Sequence, residues 1–315
     1  RDREDALDVV QDAMLQLARR YAGRPPGEWR PLFYRILNNR IHDFQRRRRV
    51  RNRVLAWLPT GKPMVLTWFA ANYLGALFVP LNTAYRGAVL QHVVNAAGAA
   101  VMVAHPALLE RLEGLALEHL RQVICVGGTA PTTPRGLRVL DESTLHGDVA
   151  GLDESASIDA WDIQSIIYTS GTTGSSKGVL SPYLQLYTTA MVNYGYMGEG
   201  ECILVNLPMF HVGGTSPTYT ALVRGGSIHL VDGFSTSKFW EQVRRGGCTT
   251  TAGLIGVMSA FLAKSEPRPD DADNPLRCIT MFPVNEDTAR MAARFGFDYL
   301  TGFNMTEVST PLVTE

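Results

Sequence analysis

Tyr168-Thr169-Ser170-Gly171-Thr172-Thr173-Gly174-Ser175-Ser176-Lys177-Gly178 follows a β-branched run, Ser165–Thr169, and precedes a helical stretch that opens near Leu184. Five small hydroxyl side chains (Ser170, Thr172, Thr173, Ser175 and Ser176) are interleaved with Gly171 and Gly174, and Lys177 closes the series. Glycine lets the backbone turn tightly enough for successive N–H groups to face one anion, and the hydroxyls and the lysine add donors and a positive charge. A triphosphate asks for that combination. Composition alone would equally suit a polar surface loop. A Walker A loop needs G-x-x-x-x-G-K-[ST], but here Lys177 follows Ser176 and precedes Gly178, so that motif is excluded.

Around this loop, short β-branched runs alternate with helical stretches from about residue 61 onward, which predicts an α/β domain. The expected strands are 99–104, 122–126, 165–169, 203–207, 227–231, 249–254 and 278–281. The expected helices include 86–97, 184–193 and 288–295. The apolar run from Met64 to Leu81 has about the length of a membrane span. Asn72 at its centre, with Gly75 and Pro80, divides it instead into a buried helix and a short buried strand.

Two further stretches stand in order after the loop. Leu207-Pro208-Met209-Phe210-His211-Val212-Gly213-Gly214 puts a histidine after an apolar strand, and Thr301-Gly302-Phe303-Asn304-Met305-Thr306-Glu307 joins an aromatic to a hydroxyl and a carboxylate. Together with T-S-G-T-T-G-S-S-K-G they resemble the adenylate-forming superfamily of AMP-dependent synthetases and ligases. The run from Arg277–Phe282 through Phe295-Gly296 looks most like its crotonobetaine/carnitine–CoA ligase branch, and the stretch Trp68–Gly87 is similar to the early region of such ligases.

The resemblance implies the large N-terminal domain of an adenylate-forming enzyme, with mixed and parallel sheets flanked by helices. It implies ATP or AMP, Mg²⁺ and coenzyme A as ligands, and a small carboxylic acid as substrate. Thr169, Ser170, Gly171, Thr172, Thr173, Gly174 and Lys177 would hold phosphates, and His211 would sit between the nucleotide and acyl sites. Phe303 would stack on adenine beside Asn304, Thr306 would contact phosphate, and Glu307 would hold Mg²⁺. Lys177, His211, Thr306 and Glu307 would be the catalytic set. Asn304 stands where the family has glycine; asparagine tolerates the left-handed backbone region, so a turn is expected there. The family's early strands, ribose-binding aspartate, hinge and C-terminal domain are expected to be missing, with weak ATP–pyrophosphate exchange as the consequence.

The first 53 residues differ in character. They hold 14 arginines and no lysine against 7 acidic residues, a balance of +7 in a chain of zero net charge. Two helices are expected. One carries an apolar stripe through Val9, Ala13, Leu17 and Tyr21, and a second runs from about Pro31. Asp5–Leu17 and Phe33–Arg49 resemble region 2 of an extracytoplasmic-function sigma factor. Nucleic acid through the Arg46–Arg53 cluster is therefore an alternative partner. The domains expected are a short all-α basic segment, 1–58, and a partial adenylation domain, 59–315. Four scattered cysteines without C-x-x-C spacing argue against a disulfide framework or zinc site and predict a cytoplasmic protein.

Overall fold

The computed structural model describes residues 2–49, 52–130, 134–147, 150, 158–169 and 175–314. It divides into two compact units, 1–52 and 53–315.

The first unit is a pair of helices, α1 (Asp2–Tyr21) and α2 (Pro26–Arg49). Ala13, Leu17 and Ile36 are buried between them, with Tyr21, Leu32, Phe33 and Leu37 packed around. This is the stripe that the three- and four-residue spacing predicts. The second helix opens at Pro26 rather than near Pro31. Pro26 takes the first helical position, where a missing N–H is no loss, and Pro31 lies inside the helix.

The second unit carries strands β1 (Arg53–Trp57), β2 (Leu77–Pro80), β3 (Val101–Ala104), β4 (Gln122–Cys125), β5 (Arg138–Leu140), β6 (Ile163–Thr169) and β7 (Lys177–Pro182). These form one sheet in the order β5-β4-β3-β1-β2-β6-β7, parallel except that β7 runs antiparallel to β6. β8 (Cys202–Val205), β9 (Ser227–Leu230) and β10 (Thr250–Thr251) make a parallel sheet, β10-β8-β9. β11 (Leu254–Ile255), β12 (Cys278–Phe282), β13 (Asp298–Met305) and β14 (Ser309–Val313) make a third, which ends in an antiparallel β13–β14 hairpin. The helices are α3 (Lys62–Tyr73), α4 (Gly87–Ala97), α5 (Tyr183–Val192), α6 (Val212–Arg224), α7 (Phe239–Gly246), α8 (Gly256–Ala263) and α9 (Glu286–Phe295). The α/β architecture is as expected.

Three boundaries differ. The compact units meet at 52/53, six residues before the expected 58/59 division, because β1 pairs with β2 on one side and β3 on the other. Leu55, Ala56 and Trp57 have no exposed surface. A strand flanked on both edges and buried on both faces belongs to the core of the second unit. Arg53 belongs there too, and its guanidinium donates to the Ala97 carbonyl. The strand expected over 249–254 is broken at Gly253, whose φ of 115° leaves the extended region, so its halves fall in separate sheets. Asn304 lies within β13, not in a turn, and its side chain donates to Thr310 Oγ1 at 2.7 Å.

The Met64–Leu81 run forms α3 and β2 as expected, and among the described residues no helix is long and apolar enough to cross a membrane. Asn72 is buried and satisfied. Its Nδ2 donates to the Gln164 carbonyl at 2.8 Å and to the Ala76 carbonyl at 3.1 Å. Trp68 Nε1 donates to Gln164 Oε1 at 2.8 Å. These bonds, made where water cannot compete, fix α3 against β6, the strand that leads into the phosphate-type loop.

Candidate active site

The loop sits at the tip of the β6–β7 hairpin, with Thr169 paired opposite Lys177. Ser170, Gly171, Thr172, Thr173 and Gly174 lie outside the described residues. Both sides of the base are fixed. β6 is anchored through Gln164, and the Ser176 carbonyl accepts from His92 Nε2 on α4 at 3.0 Å. A carbonyl can only accept, so His92 carries its proton on Nε2. The glycine after Lys177 has a steric reason: a Cβ on Gly178 would stand 2.7 Å from Ile166 Cγ2 and 3.3 Å from the Tyr168 ring. Lys177 is exposed.

His211 is the N-cap of α6. Its Nδ1 accepts from the Gly213 N–H at 3.0 Å, while its carbonyl accepts from Gly214 and Thr215. Desolvation of the imidazole lowers its pKa, although the residue as a whole is exposed. The capping bond and the positive end of the helix dipole act in the same direction. His211 is thus neutral at pH 7, with its proton on Nε2. The glycine pair after Val212 lets α6 start against the preceding loop, since a Cβ on Gly214 would lie 2.3 Å from the Pro208 carbonyl oxygen.

The third motif lies on the β13–β14 hairpin. Phe303, paired with Leu312, is 51% exposed. Thr306, Glu307 and Val308 form the turn, where Thr306 is buried and Glu307 exposed. Gln185 Nε2 on α5 donates to the Thr306 carbonyl at 2.9 Å. Helix α5 also packs against β7, α6 and β14. It is the common support of the elements that carry Lys177, His211 and Thr306-Glu307.

His92, Gln164 and Gln185 were not singled out by the sequence. Each acts through long-range bonds, and local spacing carries no sign of them. Among the described residues no group of three or more His, Cys, Asp or Glu is placed to hold a metal ion. Glu307 offers one exposed carboxylate without an ion-pair partner among the described residues. That suits Mg²⁺, which takes one or two carboxylates and draws its other oxygens from phosphates and water. Of the Arg46–Arg53 cluster, the side chains of 46–49 and all of residues 50 and 51 lie outside the described residues.

The family model of AMP-binding enzymes matches residues 45–315. The chain belongs to that family. This AMP-binding enzyme is 29% identical over 243 residues to the medium/long-chain-fatty-acid–CoA ligase FadD17 of Mycobacterium marinum, an overlap of 76% of this chain and 45% of that one. It is 25% identical over 272 residues to the 2-succinylbenzoate–CoA ligase of a Geobacillus species, covering 83% and 49%. Among solved structures it is similar to o-succinylbenzoate coenzyme A synthetase from Bacillus subtilis in complex with AMP. There the TM-score is 0.65 at 22% identity, with 83% of this chain and 63% of that one covered. The chain spans about half the length of these two curated relatives.

Proposed function

We propose that the 53–315 unit handles the nucleotide in an AMP-forming acyl-CoA ligase. The observation that carries this reading is the hydroxyl- and glycine-rich loop between Thr169 and Lys177, held at its base by Gln164 and His92. A carboxylate oxygen of the acid attacks the α-phosphorus of ATP, the bond to the bridging oxygen breaks, and pyrophosphate leaves. Coenzyme A thiol then attacks the acyl carbon and AMP leaves. Catalysis of this kind is chiefly positioning and charge stabilisation.

Lys177, Thr169 and the loop residues Ser170, Gly171, Thr172, Thr173 and Gly174 bind the phosphates. Neutral His211 presents an Nε2–H donor rather than a cation. Phe303 offers an exposed ring to adenine beside Asn304, and Thr306 contacts phosphate. Glu307 would hold Mg²⁺, which when bound offsets charge on the phosphates. The acyl branch we propose is crotonobetaine/carnitine-like, on the runs Arg277–Gly296 and Trp68–Gly87. A panel of betaine, fatty and aromatic carboxylates in an adenylation assay discriminates it. Calorimetric titration with MgATP tests the nucleotide site: binding is expected, reduced about tenfold or more in Lys177→Ala, equivalent to about 1.4 kcal/mol. A folded protein that binds no MgATP overturns the reading.

For residues 1–52 the sigma-region-2 resemblance supports a second proposal, contact with nucleic acid. Arg19, Arg20 and Arg40 line one cavity of about 260 Å³ between α1 and α2. Fluorescence anisotropy against single strands at two salt concentrations tests it. Binding that disappears at moderate salt reduces the claim to generic attraction for phosphates.

A further inference from the structure

Cys202 opens β8, and Cys248 precedes β10, the strand that pairs beside it. Their sulfurs are 3.8 Å apart. Both face the core cluster that contains Leu204, Phe239 and Val243. Cys202 keeps 9% of its surface exposed, whereas Cys248 keeps none. The space around the pair depends on a glycine: a Cβ on Gly246 would stand 2.7 Å from both the Cys248 sulfur and the His229 ring carbon Cγ. All four cysteines are free thiols; Cys125 lies in β4 and Cys278 opens β12, and burial raises the pKa of each. The sulfur pair sits at the N-terminal ends of its strands, whereas His211 follows the C-terminal end of β8.

We propose that Cys202 and Cys248 are a peroxide-responsive dithiol that closes to a disulfide between β8 and the segment entering β10. The two thiols have distinct parts. The Cys202 sulfur has Cys248 as its hydrogen-bond partner, and that contact lowers its pKa. Its contact with Cys202, and then burial, raise that of Cys248. The thiolate is the nucleophile and only Cys202 of the pair keeps surface open to a peroxide, so Cys202 attacks and Cys248 resolves. The Cys202 thiolate attacks one oxygen of a hydroperoxide, the O–O bond breaks, and the leaving oxygen departs as hydroxide or alkoxide. This leaves a sulfenic acid on Cys202. The Cys248 sulfur then attacks the sulfenic sulfur, the S–S bond forms, and the hydroxyl leaves with the Cys248 proton as water. With hydrogen peroxide, two thiols and one peroxide give one disulfide and two waters.

The test is to treat the native full chain with hydrogen peroxide, alkylate the remaining thiols after denaturation, and map the peptides by mass spectrometry. A Cys202–Cys248 cross-linked peptide, short of two hydrogens and restored by reductant, is expected while Cys125 and Cys278 remain alkylatable. In Cys248→Ser, dimedone is expected to trap a sulfenic acid on Cys202; if that variant does not fold, the wild-type map alone decides. Oxidation of Cys202 no faster than that of Cys125, or a cross-link formed only in denatured protein, overturns the proposal. Neither result depends on MgATP binding.

Discussion

The β6–β7 hairpin and the β13–β14 hairpin both carry signature residues, yet they are held in different ways. Ile166 and Ile167 of β6 are buried, and Gln164 ties that strand to Trp68, with Asn72 on its carbonyl. The β13–β14 hairpin stands at one side of its sheet among the described residues. Phe303, Met305 and Leu312 are exposed, and the Thr306 turn is joined to α5 by the Gln185 bond. Local opening is easiest where buried apolar contacts are few. The strand that leads into the Thr169–Lys177 loop is therefore held in a buried core, whereas the ring of Phe303 is carried on an exposed hairpin supported by α5.

The sharpest way to break this contrast is Trp68→Ala. Trp68 is fully buried and stacked on Phe69 and Phe78. The loss is expected at about 3–5 kcal/mol in urea unfolding, and a loss below about 1 kcal/mol would remove the claim that this packing anchors β6. Gln164→Leu leaves the Trp68 N–H buried without an acceptor and is expected to cost about 1–3 kcal/mol. A near-neutral result would show that the tie is dispensable. Gln185→Ala is expected to cost only about 1 kcal/mol globally but to speed amide exchange selectively at Val308 and along β14. Uniform exchange across the domain would argue against a local tether.

His211 sharpens the comparison through pH. Its folded pKa lies below the ordinary 6.5, so between the two values the unfolded chain binds more protons and stability rises with pH. The contribution is complete above 6.5 and is lost as pH falls through the folded pKa. An NMR titration of the imidazole with a midpoint at or above 6.5 would contradict it. The smallest effect is that of Phe303→Ala, within about 0.5 kcal/mol on stability. Weaker MgATP binding in the same variant is expected from the proposed stacking.

The α/β class and most central strands were legible because apolar β-branched runs such as Val101–Ala104 and Ile203–Val205 stand between clear helices. The phosphate-type loop was legible because its order, not its composition, is diagnostic. β1 was hidden behind the arginines that precede it. β7, Lys-Gly-Val-Leu-Ser-Pro, lacks the alternation of a half-buried strand and is extended because it pairs with β6. The supports of the site were illegible for a different reason. His92 reaches Ser176 and Gln185 reaches Thr306 only after the chain has folded, and no local pattern marks them.

The strand order has a consequence for how the molecule assembles during synthesis. β1 to β5 pair among themselves through short connections, but β2 waits for β6, joining Phe78 to Ser165. Non-local pairing of this kind is slow because loop closure must come before the contacts that reward it. On a ribosome the five-stranded half can pair first, with one edge of β2 bare until the hairpin that carries Lys177 emerges and docks. The Thr169–Lys177 connection is therefore a late arrival, and chaperone dependence is expected to concentrate in that interval.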